Sequence, residues 1–256
     1  MTSRPLAACL AALSLIALQA GAAPPLPQSL PQSPPQSLPP GQYLTQGGWG
    51  TLNIMAPSHG AQDFSLRSLG AAGQACAMRG RIESTVEGTI REARARLEKA
   101  GETCVLDVAP TGNGVQLRTR TPQACAAFCG DTAEFAGDYL KPRAGCSRAA
   151  VRRRRDAFIG LYRQGEYARA REALAPVLAD CGPVLFYAVE ADVRNDLAVT
   201  LYHLGEHRGC RAVLAPMREI AESSDAQLRT GFPPFDPARH LRIARQTRHN
   251  LRLCRA

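Results

Sequence analysis

The sequence predicts an α+β chain in two domains: a small disulfide-bonded antiparallel β domain, then an α-helical domain of repeated hairpins. Three observations predict it. Short alternating runs broken by Gly, Pro and Asn fill residues 49 to 139. Beyond residue 147, apolar residues recur at helical spacing between recognisable caps. Eight of the nine cysteines, from Cys76 to Cys254, lie beyond the N-terminal apolar run, an even number that suits disulfides.

The first 23 residues carry one Arg, an apolar run from Leu6 to about Ala20, and then Gly21, Ala22 and Ala23. That is the pattern of a secretory signal. The run is roughly 15 residues long, short of the roughly 20 that span a bilayer, so no membrane span is expected. A lipoprotein box closes such a run, whereas Leu6-Ala7-Ala8-Cys9 opens this one, so Cys9 is expected to leave with the signal. The mature protein is expected to be periplasmic or secreted. Residues 24 to 41, PPLPQSLPQSPPQSLPPG, form an uncharged repeat read as a semi-rigid polyproline linker.

In the β domain, residues 42 to 142, the expected strands are WGTLNIM, DFSLRSL, ACAMRGRI, TCVLDV and VQLRT. PTGNG at 110 to 114 joins the last two as a hairpin, and the whole is read as a small antiparallel sheet or barrel. TIREARARLEKAG is ambiguous. Ile90, Ala93 and Leu97 suit a helix face, whereas Ala93, Ala95 and Leu97 alternate as in a strand, which is the preferred reading. The expected disulfides are Cys76 to Cys104, on neighbouring strands, and Cys125 to Cys129, within one helical turn. Trp49 and Phe128 are expected in the core. In size and disulfide content this half is similar in class to small β-rich periplasmic domains that include lysozyme inhibitors.

The helical domain, residues 146 to 256, starts with Ser147 as N-cap of a helix reaching Gln164. A second helix runs from Glu166 to Cys181, stopped by Gly182 and Pro183. Phe186, Val189, Val193, Leu197 and Leu201 stripe a third that ends at Gly205. A fourth runs from Glu206 to about Glu222, and Asp236 caps a fifth reaching Cys254. In an antiparallel hairpin the start of one helix lies beside the end of the next, which brings Cys146 to Cys181. By the same logic the closing helix returns Cys254 to Cys210.

LYRQGEYARAREALAPVL from Leu161 returns 40 residues later as LYHLGEHRGCRAVLAPMR from Leu201, with eight of eighteen positions identical. The pattern Leu161-Tyr162-x-x-Gly165-x-Tyr167-x-x-Ala170-x-x-x-Leu174 recurs as Leu201-Tyr202-x-x-Gly205-x-His207-x-x-Cys210-x-x-x-Leu214. Over residues 148 to 222 this resembles the tetratricopeptide repeat, although that family's period is roughly 34 residues. The resemblance implies that the first helix of each hairpin lines a concave groove. It selects Arg152, Arg155, Ile159, Tyr162 and Arg163 from the first repeat and Asp192, Asn195, Val199, Tyr202 and His203 from the second.

The chain has no G-x-S-x-G, Walker loop, H-E-x-x-H or C-x-x-C-H motif, so no catalytic residue, metal or cofactor is expected. His203, Glu206, His207 and Cys210 straddle Gly205 and match Arg163, Glu166, Tyr167 and Ala170, so they are read as turn residues of a repeat. Charge is uneven. Residues 41 to 145 carry 11 basic and 10 acidic side chains, and residues 146 to 256 carry 19 and 12. The run Arg152 to Arg155 and the series Arg242, Arg245, Arg248 and Arg252 are expected to share one positive field. These readings lead to a non-enzymatic exported binding or adaptor protein holding an extended, acidic partner. That partner is a protein or peptide, or an anionic cell-envelope polymer; nucleic acid is not expected. The alternative is a protein inhibitor of a lysozyme-type cell-wall hydrolase acting through the β domain.

Overall fold

The computed structural model describes residues 37–70, 73–84, 91–96, 103–129, 135–230 and 236–255. The signal reading of residues 1–23 and the linker before residue 37 lie outside them. Residues 34–256 form one compact unit, so the sequence boundary near Pro142 does not divide the protein into separate bodies.

Eight strands form the first part: β1 (Gly41–Thr45), β2 (Gly50–Ile54), β3 (Ala61–Leu69), β4 (Ala75–Ser84), β5 (Arg91–Arg96), β6 (Thr103–Thr111), β7 (Gly114–Thr119) and β8 (Gly137–Leu140). Each pairs antiparallel with the next, and β8 returns to β1, so the sheet closes as a barrel. Its interior follows from strand periodicity, since alternate side chains point to one face. In β3, Gln62, Phe64, Leu66 and Ser68 are buried. Tyr43, Leu52, Ile54, Leu106, Leu117 and Tyr139 fill the same core. The ambiguous REARAR segment is strand β5, while the rest of TIREARARLEKAG lies outside the described residues.

Two expectations about this part are corrected. The linker does not extend to Gly41: Leu38 is only 1% exposed and sits in the barrel core. Its amide donates to Gln62 Oε1 at 2.7 Å and its carbonyl accepts from Gln62 Nε2 at 2.8 Å. The disulfides also pair differently, as Cys76 to Cys129 and Cys104 to Cys125, with Cα separations of 4.3 and 4.5 Å. β5 lies between the strands of Cys76 and Cys104. Two strand spacings, roughly 9.5 Å, exceed what a disulfide spans. The short helix α1 (Pro122–Ala126) and the turn after it supply the partners instead, because Cys125 and Cys129 are four residues apart and each reaches a different strand. Phe128 packs against this core, and Trp49 meets Tyr139 edge-on at 6.4 Å.

The second part comprises α2 (Arg148–Arg163), α3 (Tyr167–Cys181), α4 (Tyr187–His203), α5 (His207–Leu214), α6 (Arg218–Glu222), α7 (Asp225–Thr230) and α8 (Pro237–Leu253). The expected caps form, Ser147 Oγ accepting from the Ala150 amide and Asp236 Oδ1 from the Arg239 amide. Ala170 and Leu174 in α3, and Cys210 and Leu214 in α5, are fully buried at matching positions. The fourth expected helix is broken at Ala215–Met217, a 3-10 turn around Pro216, whose ring removes a backbone donor. Both expected helical disulfides form, with Cα separations of 5.2 Å for Cys146–Cys181 and 5.6 Å for Cys210–Cys254.

The closing helix α8 packs along α4 through a buried polar set. Asn195 Nδ2 donates to Thr247 Oγ1, and Asn250 Nδ2 donates to Asn195 Oδ1, both at 3.0 Å. On its other side, Arg245 and Arg248 hold Asp225 of α7 at 2.7 and 2.9 Å. Arg248 also donates to the carbonyls of Ala221 and Ser223. These two arginines are therefore spent on the fold and do not join Arg152 in an open field.

The guanidiniums beside Asp225 lower its pKa to about 2, below its unfolded value. Its contribution to stability is therefore present above the unfolded value and lost as pH falls through about 4 to 2. Asp225→Asn should flatten this part of the profile. In thermal unfolding across that window, the native protein should lose stability more steeply than the variant; parallel profiles would contradict the assignment.

The two parts meet at a built junction. Leu44 and Leu140 pair directly across β1 and β8, face away from the barrel interior, and pack into the helical core with Val184 and Leu185. Gly48, in the turn after β1, sits against the backbone of Val184 to Phe186. The Gly48 carbonyl accepts from Arg148 Nη2 at 3.0 Å.

Candidate functional site

The helices α2, α4 and α8 run parallel, because contacts between them advance together in sequence. Arg155 of α2 meets Asp192 and Asp196 of α4 at 3.5 and 3.1 Å, and one helical stretch later Tyr162 meets His203. Asp192 of α4 meets Arg239 of α8 at 3.0 Å, and Asn195 meets Thr247 further on. The result is a three-helix face crossed by an Arg155–Asp192–Arg239 ladder.

On α2, Arg152, Ile159 and Arg163 are exposed, with Arg155 and Tyr162 half-buried beside them. On α4 the matching line is Asp192, Asp196, Val199 and His203, at helical spacings of four, three and four. Tyr162 closes the far end. Its hydroxyl lies 3.1 Å from His203 Nε2, and His203 stacks on Tyr167 with ring centroids 4.3 Å apart. Burial, followed by Tyr167 and Asp196, raises the Tyr162 pKa, so its hydroxyl stays protonated.

Two sequence-selected residues fall off this face. Asn195 is fully buried against α8, where its amide is consumed by Thr247, Asn250 and the Ala191 carbonyl. Tyr202 turns toward α5, packing with His207 and the Cys210–Leu214 cluster. Aligning the repeats places Tyr202 under Tyr162, yet the side chain that meets Tyr162 is His203, so the stripe is rotated by one residue. Asp196 and Arg239 were the residues missed, Asp196 because its repeat counterpart is Asp156 and Arg239 because α8 lies outside the repeat.

Asp196 shows how the face is balanced. Burial raises its pKa, opposed by the charge and hydrogen bond of Arg155. Arg155 thus supports two carboxylates at once, and it is not a free ligand for a partner. Arg152 and Arg163 remain open to solvent with no carboxylate against them among the described residues. The turn residues around Gly205 are engaged in the fold: Cys210 is in a disulfide, Glu206 pairs with Arg171, and His203 stacks on Tyr167.

At its N-terminal end the face runs into the barrel, leaving a cleft of about 550 Å³. Leu44, Val151, Val184, Leu185 and Val189 form its apolar floor, and Arg148, Arg152, Arg155, Asp156 and Arg239 form its rim. Burial lowers the Arg148 pKa, yet a guanidinium so far from neutrality stays charged. A second concavity, about 770 Å³, lies on the outer face of β2 to β4 and includes Asn53, Ser65, Arg67 and Arg79.

No family model, curated protein or solved structure matches this chain. Among the described residues, no helix is long and apolar enough to cross a membrane, and the four disulfides fit an oxidising compartment.

Proposed function

We propose that this is an exported, non-enzymatic binding or adaptor protein that holds an extended, acidic partner along the α2–α4 face. The observation that carries the reading is the exposed line Arg152, Ile159 and Arg163 beside a rigid, internally paired line on α4. Guanidiniums grip carboxylates in a fork, Ile159 gives apolar contact, and the paired carboxylates beneath hold the surface in shape. The likeness of the hairpins to tetratricopeptide repeats supports the same face, since such arrays bind along their first helices. The face is short, so micromolar affinity that weakens with salt is expected.

The test uses exposed residues only, because removing Arg155 or Tyr162 would also disturb helix packing. Arg152→Ala/Ile159→Ser/Arg163→Ala should keep the native unfolding transition and lose crosslinked partners from an envelope extract by at least tenfold. Undiminished capture by the folded variant would reject this face. The concavity on β2 to β4, with Arg67 and Arg79 in its lining, favours a second reading, inhibition of a lysozyme-type hydrolase through the barrel. Lysozyme inhibition that survives the triple substitution would assign activity there.

A further inference from the structure

We propose that the cleft between barrel and helices binds a single-chain acyl carboxylate, a free fatty acid of medium chain length. This goes beyond the partner-binding reading and does not depend on it, although both use Arg152 and Ile159. The cleft, about 550 Å³, is of the size that takes small molecules. Its floor is apolar and comes from both halves of the protein: Leu44 from β1, Val151 from α2, Val184, Leu185 and Phe186 from the turn before α4, and Val189 from α4.

The polar groups narrow the ligand class. They are side chains at the rim, and most are already committed. Arg155 holds Asp192 and Asp196, Arg239 holds Asp192, and Arg148 gives one donor to the Gly48 carbonyl. Among the described residues neither Arg148 nor Arg152 is paired with a carboxylate, and the rim also carries the Asp156 carboxylate, so one net positive charge is left for one anionic head. The first turns of α2 and α4, helices of 16 and 17 residues, border the same space and add a favourable field for an anion.

The floor offers little to a peptide backbone. Among the described residues the barrel is closed and leaves no free strand edge, and the Gly48 carbonyl is occupied. Peptide amides buried there would be left without partners, at a cost a saturated chain does not incur. An apolar tail with one anionic head suits this wall, because the apolar floor takes the tail and the guanidiniums of Arg148 and Arg152 outweigh the Asp156 carboxylate at the rim.

The experiment is calorimetric titration of the full mature protein with octanoate, decanoate and dodecanoate, each below its micelle concentration. Affinity should rise roughly tenfold for each added pair of methylenes. Decanol and decyltrimethylammonium should bind at least tenfold more weakly than decanoate. Arg152→Gln should weaken decanoate about tenfold, the loss expected for one charge-assisted contact, while leaving decanol unchanged. Ile159→Asp, at an exposed position on the cleft mouth, should weaken decanoate without unfolding the protein. The proposal is overturned by affinity independent of chain length, by equal binding of the ammonium, or by unaltered decanoate binding in Arg152→Gln. It is equally overturned if phosphatidylglycerol vesicles bind and decanoate does not, or if the peptide acetyl-Leu-Val-Leu-Glu outcompetes decanoate. Loss of partner capture in the triple variant is read separately and bears only on the helical face.

Discussion

Gly48→Ala should destabilise the entire body by roughly 2–5 kcal/mol, although it adds a single methyl group. Gly48 has φ +66°, a left-handed conformation that costs an L-residue about 1–2 kcal/mol. A Cβ there would also fall on the Phe186 amide nitrogen and lie 2.5 Å from the Val184 carbonyl oxygen and 2.7 Å from the Leu185 carbonyl carbon. All three are backbone atoms, so no rotamer change relieves the overlap. The turn must withdraw, taking with it the carbonyl that Arg148 binds and loosening Leu44 from the helical core. Gly60→Ala provides the control, because Gly60 has φ +79° but nothing within 4 Å of a new Cβ. It should lose only the conformational part. Urea unfolding of both variants checks this, and equal losses would show that the junction yields easily.

Cys210→Ala/Cys254→Ala should cost about 4 kcal/mol, from the chain entropy released when a 44-residue loop is opened. The effect is local in origin and wide in reach. The bridge ties the end of α8 to α5, and α8 covers the buried faces of Ala188, Ala191 and Asn195 on α4. Arg211 adds only one hydrogen bond to the Cys254 carbonyl at that end, 2.7 Å long. Without the bridge, hydrogen exchange should rise first in α8 and then along α4, while the barrel amides stay protected. Uniform exchange across the molecule, or a change below about 1 kcal/mol, would contradict this. Peptide mapping without reduction should also recover Cys76 with Cys129 and Cys104 with Cys125.

The helical hairpins were legible because their signals are local. Ser147 and Asp236 cap, Gly165 and Gly205 turn, and Ala170 and Cys210 allow close packing, each within a few residues of what it controls. The barrel was legible in its long strands and not in its closure. β1 has five residues and begins at the Gly of a Pro-Pro-Gly stretch, and β8 has four residues, so neither carries a pattern long enough to read alone. The pairing of Cys125 and Cys129 was hidden for a related reason, since it depends on which strands α1 covers. On the candidate face, the sequence repeat located α2 and α4 correctly, but the repeat offset could not supply their relative rotation. That is why the pattern places Tyr202 on the face together with His203, and places the buried Asn195 among surface groups.

The direct pairing of Leu44 with Leu140 couples two processes on the folding pathway. Those residues are the last rung of the barrel and also part of the helical core. Closing the rung brings together chain segments almost a hundred residues apart, the slow, entropically costly kind of contact that governs folding rate. The helices, built from neighbouring contacts, can form early, but their core stays open on one side until the rung arrives. Barrel closure and helix docking therefore share one late kinetic step, and neither half should reach its native packing ahead of the other.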